Sequence, residues 1–229
     1  MNSATVASRV ASVAEDQWGL VTRRQAQAAG VPRATLARAT TPGGVLERVA
    51  HGVYRLVGAP APDHVELRAA WLQLAPEVPA WQRAGAAGAI TGHVSAGDGA
   101  VVSHRSAAAL FGLGHLPADV HEFTVAGRRQ TRRPDVRLHV RRLEDDERMV
   151  VTGLPVTRPA RIAADLLAER VDPESVGQVV ADALQTGRET REAFEVTLAP
   201  LAARYGQARG DGAALLGWLL DLAGAGGAA

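Results

Sequence analysis

Two residue types are absent from the 229-residue sequence, which contains neither cysteine nor lysine. Without cysteine the chain has no disulfide, thiolate zinc site, iron–sulfur cluster or cysteine nucleophile. Without lysine it cannot form a Schiff base or supply the lysine of a P-loop or of a kinase strand. Enzyme classes that depend on these side chains are therefore excluded.

Long apolar runs are absent as well. No stretch approaches 18 consecutive apolar residues, the length that a membrane span requires. Residues 1–21 contain Arg9, Glu15 and Asp16 and lack the apolar block of a signal peptide. We therefore expect a cytoplasmic protein that does not associate with membranes. Hydrophobic residues make up 47% of the chain and charged residues 21%, a composition typical of packed globular domains.

The charges are distributed unevenly along the chain. Residues 1–142 contain 17 arginines and 10 acidic residues, whereas residues 143–229 contain 8 arginines and 14 acidic residues. The formal net charge of +1 therefore combines a basic front with an acidic back. Such an asymmetry is expected when one end of a protein meets a polyanion, and chance variation in an arginine-rich chain is the alternative.

The first 57 residues begin with a pattern of three helices. Apolar residues at helical spacing predict the first helix over residues 3–16. Thr22 has N-cap chemistry for a short second helix, residues 23–29. Gly30 then predicts a tight turn before a third helix over residues 32–40. Two short helices joined by such a turn form a helix-turn-helix unit.

A β-hairpin follows the third helix. Residues 45–50 and 53–57 are rich in strand-forming side chains, and the two-residue turn His51-Gly52 separates them. A hairpin in this position is the wing of a winged helix. Residues 1–57 contain seven arginines and three acidic residues, so the module is basic.

The predicted module offers a candidate DNA-binding surface. Leu36 is the large apolar residue of the third helix and must face the core, which turns Arg38 outward at about 100° per residue. We expect base-edge contacts from Arg33, Thr35 and Arg38, and phosphate or minor-groove contacts from Arg23, Arg24, Arg48, His51 and Arg55. The alternative is a winged helix that contacts only protein, with these arginines in solvent.

The rest of the chain predicts a second domain. Residues 58–62 are Pro-rich and uncharged and form a linker, so the domains are 1–57 and 63–229. The pattern over 63–229 is α+β with a helical C-terminal end. Residues 76–100 lack a clear period and predict an exposed, irregular loop. Strands are expected at 120–125 and 136–141, helix caps at Ser103, Thr157, Asp172 and Asp211, and a split helix at Pro200.

A second basic patch lies between the two predicted strands. It consists of Arg128, Arg129, Arg132 and Arg133. Guanidinium groups at this density bind either a phosphate backbone or the acidic surface of a protein partner. A solvated loop is the equally weighted alternative.

The sequence contains no complete catalytic or metal-binding motif. The seven histidines form no H-E-x-x-H motif and have no carboxylate at ligand spacing. His104 lies beside Ser103, but this pair is interpreted as the start of a helix. We therefore expect no enzymatic activity, no metal site and no cofactor.

Four segments carry a resemblance to a known family. They are Gly19–Ala26, Gly52–Leu56, Val102–Leu110 with Gly112-Leu113, and Gly153–Arg161 with Asp165-Leu166. In these segments the chain resembles the AbiEi antitoxins of type IV toxin–antitoxin systems, in their actinobacterial form. Residues 76–100 resemble nothing in the family and are interpreted as an insertion.

The resemblance implies a function for each domain. The winged helix would bind inverted repeats in double-stranded DNA of its own promoter and repress the operon, with residues 33–41 and 48–55 as the DNA-reading elements. The C-terminal domain would be an antitoxin that opposes a nucleotidyltransferase-like toxin. The alternatives are a toxin-neutralising module without DNA binding, a stand-alone regulator, and a degenerate nuclease, which the missing lysine disfavours.

Overall fold

The computed structural model describes residues 1–84 and 99–225. The chain divides into two compact units. The first unit contains Met1–Ala100 with Thr152–Leu154, and the second contains Val101–Val151 with Pro155–Ala229. These units meet at Ala100 along the chain, whereas the sequence predicts a domain boundary at residues 58–62. The division into domains at that linker stays a prediction.

The first unit has the element order of a winged helix. In chain order it contains α1 (Ser3–Ala14), β1 (Leu20–Thr22), α2 (Arg23–Ala28), α3 (Arg33–Ala39), β2 (Leu46–Ala50), β3 (Val53–Leu56), α4 (Val65–Gln73) and α5 (Ala80–Ala84). The three strands form an antiparallel sheet in the order β1-β3-β2. The predicted three helices and hairpin are therefore present, and the three-residue strand β1 is an element that the sequence pattern missed.

Local signals determine where the helices of this unit begin and end. The Asn2 side chain accepts a hydrogen bond from the amide of Thr5 at 2.8 Å and caps α1. Thr22 caps α2 as predicted, because its Oγ1 accepts from the amide of Gln25 at 3.1 Å. The Gln25 side chain in turn accepts from the amide of Thr22 at 2.9 Å, which completes a capping box.

One apolar core holds the winged helix together. Val6 and Val10 lie on one face of α1 because they are one helical turn apart, and both are buried. The core consists of Val6, Val10, Val21, Ala26, Val31, Leu36, Ala39, Leu46 and Tyr54. Since α3 contributes two of these side chains, the core also fixes which face of α3 points outward.

The irregular loop predicted over residues 76–100 is wrong at residues 80–84. Residues Ala80–Ala84 form α5, and Ala80 and Arg83 are buried. The Arg83 guanidinium lies over the Trp71 ring at 3.5 Å and donates to the Trp71 carbonyl at 2.8 Å. Residues 85–98, which contain most of that prediction, lie outside the described residues.

The second unit combines a five-stranded sheet with five helices among the residues that the structure describes. Its elements are β4 (Val101–Val102), α6 (His104–Phe111), β5 (His121–Val125), β6 (Val136–Val140), β7 (Arg148–Val151), β8 (Leu154–Thr157), α7 (Pro159–Ala168), α8 (Pro173–Gln185), α9 (Arg191–Leu198) and α10 (Gly212–Leu222). The strand order is β6-β5-β4-β8-β7. Strand β4 is antiparallel to β5 and parallel to β8, and β5 is parallel to β6. The predicted α+β class with a helical end is confirmed.

The caps predicted for the helical end are mostly confirmed. Asp172 and Asp211 accept hydrogen bonds from the third amide of α8 and of α10. Pro200 lies where α9 gives way to a 3-10 turn, so the predicted split is also confirmed. The predicted cap at Thr157 is wrong. Arg158 occupies the N-cap of α7, and the Thr157 hydroxyl instead donates to the carbonyl of Val102 at 3.4 Å.

Glycine permits a close approach between α8 and α10. Gly177 lies in the middle of α8, and a Cβ atom there would stand 2.2 Å from the carbonyl oxygen of Leu219 on α10. No side chain fits at that distance, so the backbones can pack together only because residue 177 is glycine.

A partly buried polar cluster lies beside the sheet of the second unit. We call His104, His139, Glu122 and Glu169 the imidazole–carboxylate cluster. The two imidazole rings stack with centroids 3.6 Å apart. Burial, and then the neighbouring His139, lower the pKa of His104 to about 4. The His104 ring is therefore neutral at neutral pH.

No helix in residues 1–84 or 99–225 combines the length and the apolar composition that crossing a bilayer requires.

Candidate nucleic-acid interface

Helix α3 presents an outward face of small residues and arginines. Arg33, Ala34, Ala37 and Arg38 are exposed along it. Small side chains allow a backbone to approach the floor of a DNA groove, and an arginine can donate two hydrogen bonds to a guanine edge. Arg33 and Arg38 therefore lie on the exposed face of α3, where the sequence predicts them.

The predicted base-edge contact by Thr35 is wrong, because this side chain is buried. It is 7% exposed and lies on the inner side of α3 with Leu36 and Ala39. Thr35 and Ala39 are one turn apart, so the helix that buries one of them buries the other. Thr35 therefore cannot reach a base edge without the loss of α3 from the core.

Three arginines from both helices of the helix-turn-helix surround one cavity. The cavity has a volume of about 460 Å³ and is lined by Arg23, Arg24, Gln27, Arg33 and Glu77. Arg23 and Arg24 occupy the first turn of α2, and Arg33 begins α3. Three guanidinium groups against one carboxylate leave this site with an excess of positive charge, which suits an anion such as a DNA phosphate.

The carboxylate in this cavity comes from outside the predicted module. Glu77 Oε1 lies 2.6 Å from Arg24 Nη1, and both side chains are more than half exposed. An exposed ion pair of this kind contributes little to stability, so its carboxylate can be displaced by a phosphate at small cost. The sequence pattern missed Glu77. The signal was its position between Pro76 and Pro79, because prolines stiffen a segment that was predicted to be irregular.

Buried polar groups hold the segment that carries Glu77. We call residues 76–80 the acidic strap. Its hydrogen bonds run from Thr22 Oγ1 to the carbonyl of Pro76, from Gln25 Nε2 to the carbonyl of Val78 at 3.2 Å, and from the amide of Ala80 to Gln17 Oε1 at 2.9 Å. Gln17, Thr22 and Gln25 are each at most 3% exposed. The strap therefore satisfies polar groups that lie beneath the start of α2.

The turn of the wing lies beside α2. The amide of Arg23 donates to the carbonyl of Gly52 at 2.8 Å, and a Cβ at Gly52 would be 4.0 Å from the Cβ of Arg23. His51 and Arg48 are exposed on the hairpin. The wing therefore adds two exposed donors to the surface that contains Arg23.

The Arg55 side chain forms its hydrogen bonds within its own unit. Its guanidinium donates to Glu47 Oε2 at 2.6 and 3.2 Å and to the carbonyl of Ala59 at 3.3 Å. Glu47 is the cross-strand partner of Arg55 in the β2–β3 ladder, so the pair is the usual opposite-charge pair of an antiparallel sheet. The structure places Arg55 in this pair, and we leave it out of the proposed phosphate contacts.

The second basic patch lies on the connection between β5 and β6. Arg128, Arg129 and Arg132 are exposed, and Arg133 pairs with Asp135. The hydrogen bond from Arg133 lowers the pKa of Asp135 to about 2. Arg137 and Arg141, further along, pair with Glu122 and Glu147. The exposed arginines of the second basic patch are therefore Arg128, Arg129 and Arg132. Binding of DNA or of a partner by this patch stays a prediction.

Helices α1–α3 and the small antiparallel sheet that contains the β2–β3 hairpin define the start of the first unit as a winged helix-turn-helix module. Residues 8–57 of this module match the family model described as "Transcriptional regulator, AbiEi antitoxin". The match covers 50 of the 229 residues, all of them in the first unit. It confirms the resemblance for this segment and indicates the class of antitoxins and transcriptional regulators. No curated protein sequence matches the chain.

Proposed function

We propose that this protein is a non-catalytic, DNA-binding antitoxin that represses its own operon and opposes a nucleotidyltransferase-like toxin. The observation that carries the DNA-binding part is the convergence of Arg23, Arg24 and Arg33 on one cavity beside the exposed face of α3. The class of the matched model supports the regulatory part. The toxin and the inverted repeats of the promoter are what that class leads us to expect.

The geometry supports a division of labour among the arginines. Arg23, Arg24 and Arg48 anchor phosphates, and Arg33 joins them because it lines the same cavity. Arg38 points outward from the last turn of α3 between small residues, so it reads base edges. His51 at the wing turn adds a contact to the backbone or the minor groove.

Binding to upstream DNA tests the proposal directly. We expect the full chain to bind a duplex from the region upstream of its own gene more tightly than a scrambled duplex, by about 10³-fold or more. Fluorescence anisotropy with both duplexes at one salt concentration measures the ratio. Failure to bind any duplex at low salt would overturn the proposal, and a parallel pull-down with the neighbouring gene product would then test the toxin-neutralising alternative.

The variant Arg38→Ala is expected to lose specificity. Its affinity for the upstream duplex should fall by about 1–3 kcal/mol, and discrimination at one base pair should relax, because one bidentate base contact is lost. The matched control is Arg209→Ala, which removes an exposed arginine of the second unit. Equal losses on upstream and scrambled DNA would show that Arg38 does not read bases.

The variant Glu77→Gln is expected to bind all duplex DNA more tightly, by about threefold to tenfold. The substitution removes a carboxylate that competes with phosphate for Arg24, so one further phosphate contact forms and the salt slope steepens by about 1. Titrations of the variant and the wild type at several salt concentrations measure both effects. Glu66→Gln, an exposed change on α4, is the control. Unchanged or weaker binding of Glu77→Gln would contradict the role of the strap carboxylate.

A further inference from the structure

Three potential metal ligands meet in the imidazole–carboxylate cluster. His104 begins α6, His139 lies in β6 and Glu169 follows the last residue of α7. Each side chain offers one ligand atom, and these atoms all lie within 4.8 Å of one another. The three residues come from separate elements, so no local spacing in the sequence indicates that they form a cluster.

One distance within the cluster matches metal coordination closely. His139 Nδ1 lies 3.3 Å from Glu169 Oε1. Two ligand atoms that are each about 2.0–2.2 Å from a tetrahedral zinc ion are about 3.3–3.5 Å apart. A single ion placed between this nitrogen and this oxygen therefore finds both at bonding distance.

The second nitrogen of each imidazole already has a partner. His139 Nε2 lies 3.3 Å from Glu122 Oε1, and His104 Nδ1 lies 3.0 Å from the hydroxyl of Ser103. Metal-binding histidines usually donate their other ring N–H to a carboxylate or another oxygen, which orients the ring. The partners of His139 and His104 leave Nδ1 of the first and Nε2 of the second for an ion.

Glu122 is held firmly as an orienting group. Its side chain is 2% exposed, and its Oε2 accepts from the amide of Arg105 at 2.9 Å. Glu169 is more accessible, with 28% of its side chain exposed. The nearest guanidinium atom, Arg105 Nη1, is 3.6 Å from Glu169 Oε2, too far for a hydrogen bond. The Glu169 carboxylate therefore keeps lone pairs for an ion.

The backbone and the ring stack of His104 are both unusual. His104 has φ +52°, in the left-handed region, which costs energy for a residue with a side chain. The ring planes are 14° from parallel with centroids 3.6 Å apart, so the in-plane nitrogen lone pairs of the two rings lie in separate, nearly parallel planes. Coordination of one ion by both rings therefore tilts one ring out of the stack.

We propose that His104, His139 and Glu169 form a binding site for one divalent transition metal ion. Two imidazole nitrogens and one carboxylate oxygen are the donor set that suits Zn²⁺, and three protein ligands leave the fourth position of a tetrahedral site open. Glu122 and Ser103 orient the two imidazoles. The site lies within the second unit and is independent of the proposed DNA-binding role.

Metal titration of the full chain tests the site. After treatment with a chelator and its removal, we expect the protein to bind one equivalent of Zn²⁺ by calorimetry and to give the visible absorption of tetrahedral Co²⁺. His104→Gln and Glu169→Gln should each weaken Zn²⁺ binding by about 100-fold or more and abolish the Co²⁺ bands, because each removes one ligand. Circular dichroism of the metal-free variants reports whether they fold.

Matched substitutions elsewhere in the second unit separate the site from adventitious binding. His115→Gln and Glu174→Gln change exposed residues of the same types and should bind Zn²⁺ as the wild type does. A wild type that takes up no Zn²⁺, or a folded His104→Gln that binds as tightly as the wild type, overturns the proposal. If His104→Gln fails to fold, Glu169→Gln decides the result, because Glu169 is partly exposed and follows the end of α7.

Discussion

Replacement of Arg23, Arg24 and Arg33 together by alanine is expected to weaken binding to duplex DNA on the order of a hundredfold at physiological salt. All three residues line the same cavity, so the variant loses the three phosphate contacts that we propose for it. Each neutralised phosphate releases about 0.9 counterion, and the slope of log K against log salt should therefore fall by about 3. Anisotropy titrations over a range of salt concentrations give both quantities.

A triple substitution of equal charge provides the control for that result. Arg191, Arg204 and Arg209 are exposed in the acidic stretch 143–229, and their replacement by alanine lowers the net charge by the same amount. We expect this control to retain most of the affinity and nearly the full salt slope. If both triple variants lose affinity equally, the effect is one of net charge and the cavity is not the anchor.

The variant Gly177→Ala is expected to destabilise the second unit by about 3 kcal/mol. A Cβ at this position would lie 2.2 Å from the carbonyl oxygen of Leu219 and 3.2 Å from the Cβ of Ala223, so α8 and α10 must separate. Overpacking against a rigid backbone costs about 1–3 kcal/mol, and sometimes more. For a protein of this size, we expect the midpoint of thermal unfolding to fall by about 6–12 °C.

Substitution of Gly217 by alanine is the control for Gly177→Ala and is expected to have the opposite effect on stability. It also lies within a helix, α10, but nothing stands within 4 Å of a Cβ built on it. Gly217→Ala should therefore stabilise the protein by about 0.5–1 kcal/mol through helix propensity alone. A thermal midpoint for Gly177→Ala at or above that of the wild type would show that the two helices do not depend on a close backbone contact.

The winged helix could be predicted from the sequence because its signals are local. Thr22 and Gln25 form a capping box within three residues, and the turn at His51-Gly52 separates two short strands. Thr35 was placed wrongly because it neighbours Leu36, the residue that orients α3, and a helix of seven residues buries a broad arc. The inner face of a short helix depends on what packs against it, which periodicity does not reveal.

The parts that could not be predicted depend on contacts between distant residues. Strand β4 has only two residues, Val101 and Val102, and exists because β5 and β8 flank it in the sheet. Glu77 reaches Arg24 across more than fifty residues of chain, and His139 reaches Glu169 across thirty. Spacing rules for motifs apply within one helix or loop, so they cannot detect groups that only the tertiary fold brings together.

The acidic strap sets a minimum length for any fragment that is to contain the winged helix. A fragment cut after Val57 would contain every strand and helix of the matched segment and would still leave Gln17 and Gln25 without partners that residues 78 and 80 provide. Buried side-chain amides that lose their hydrogen-bond partners draw water to the start of α2 and destabilise this helix. A fragment that is to carry the winged helix into another protein, by engineering or by gene fusion, must therefore extend at least to Ala80.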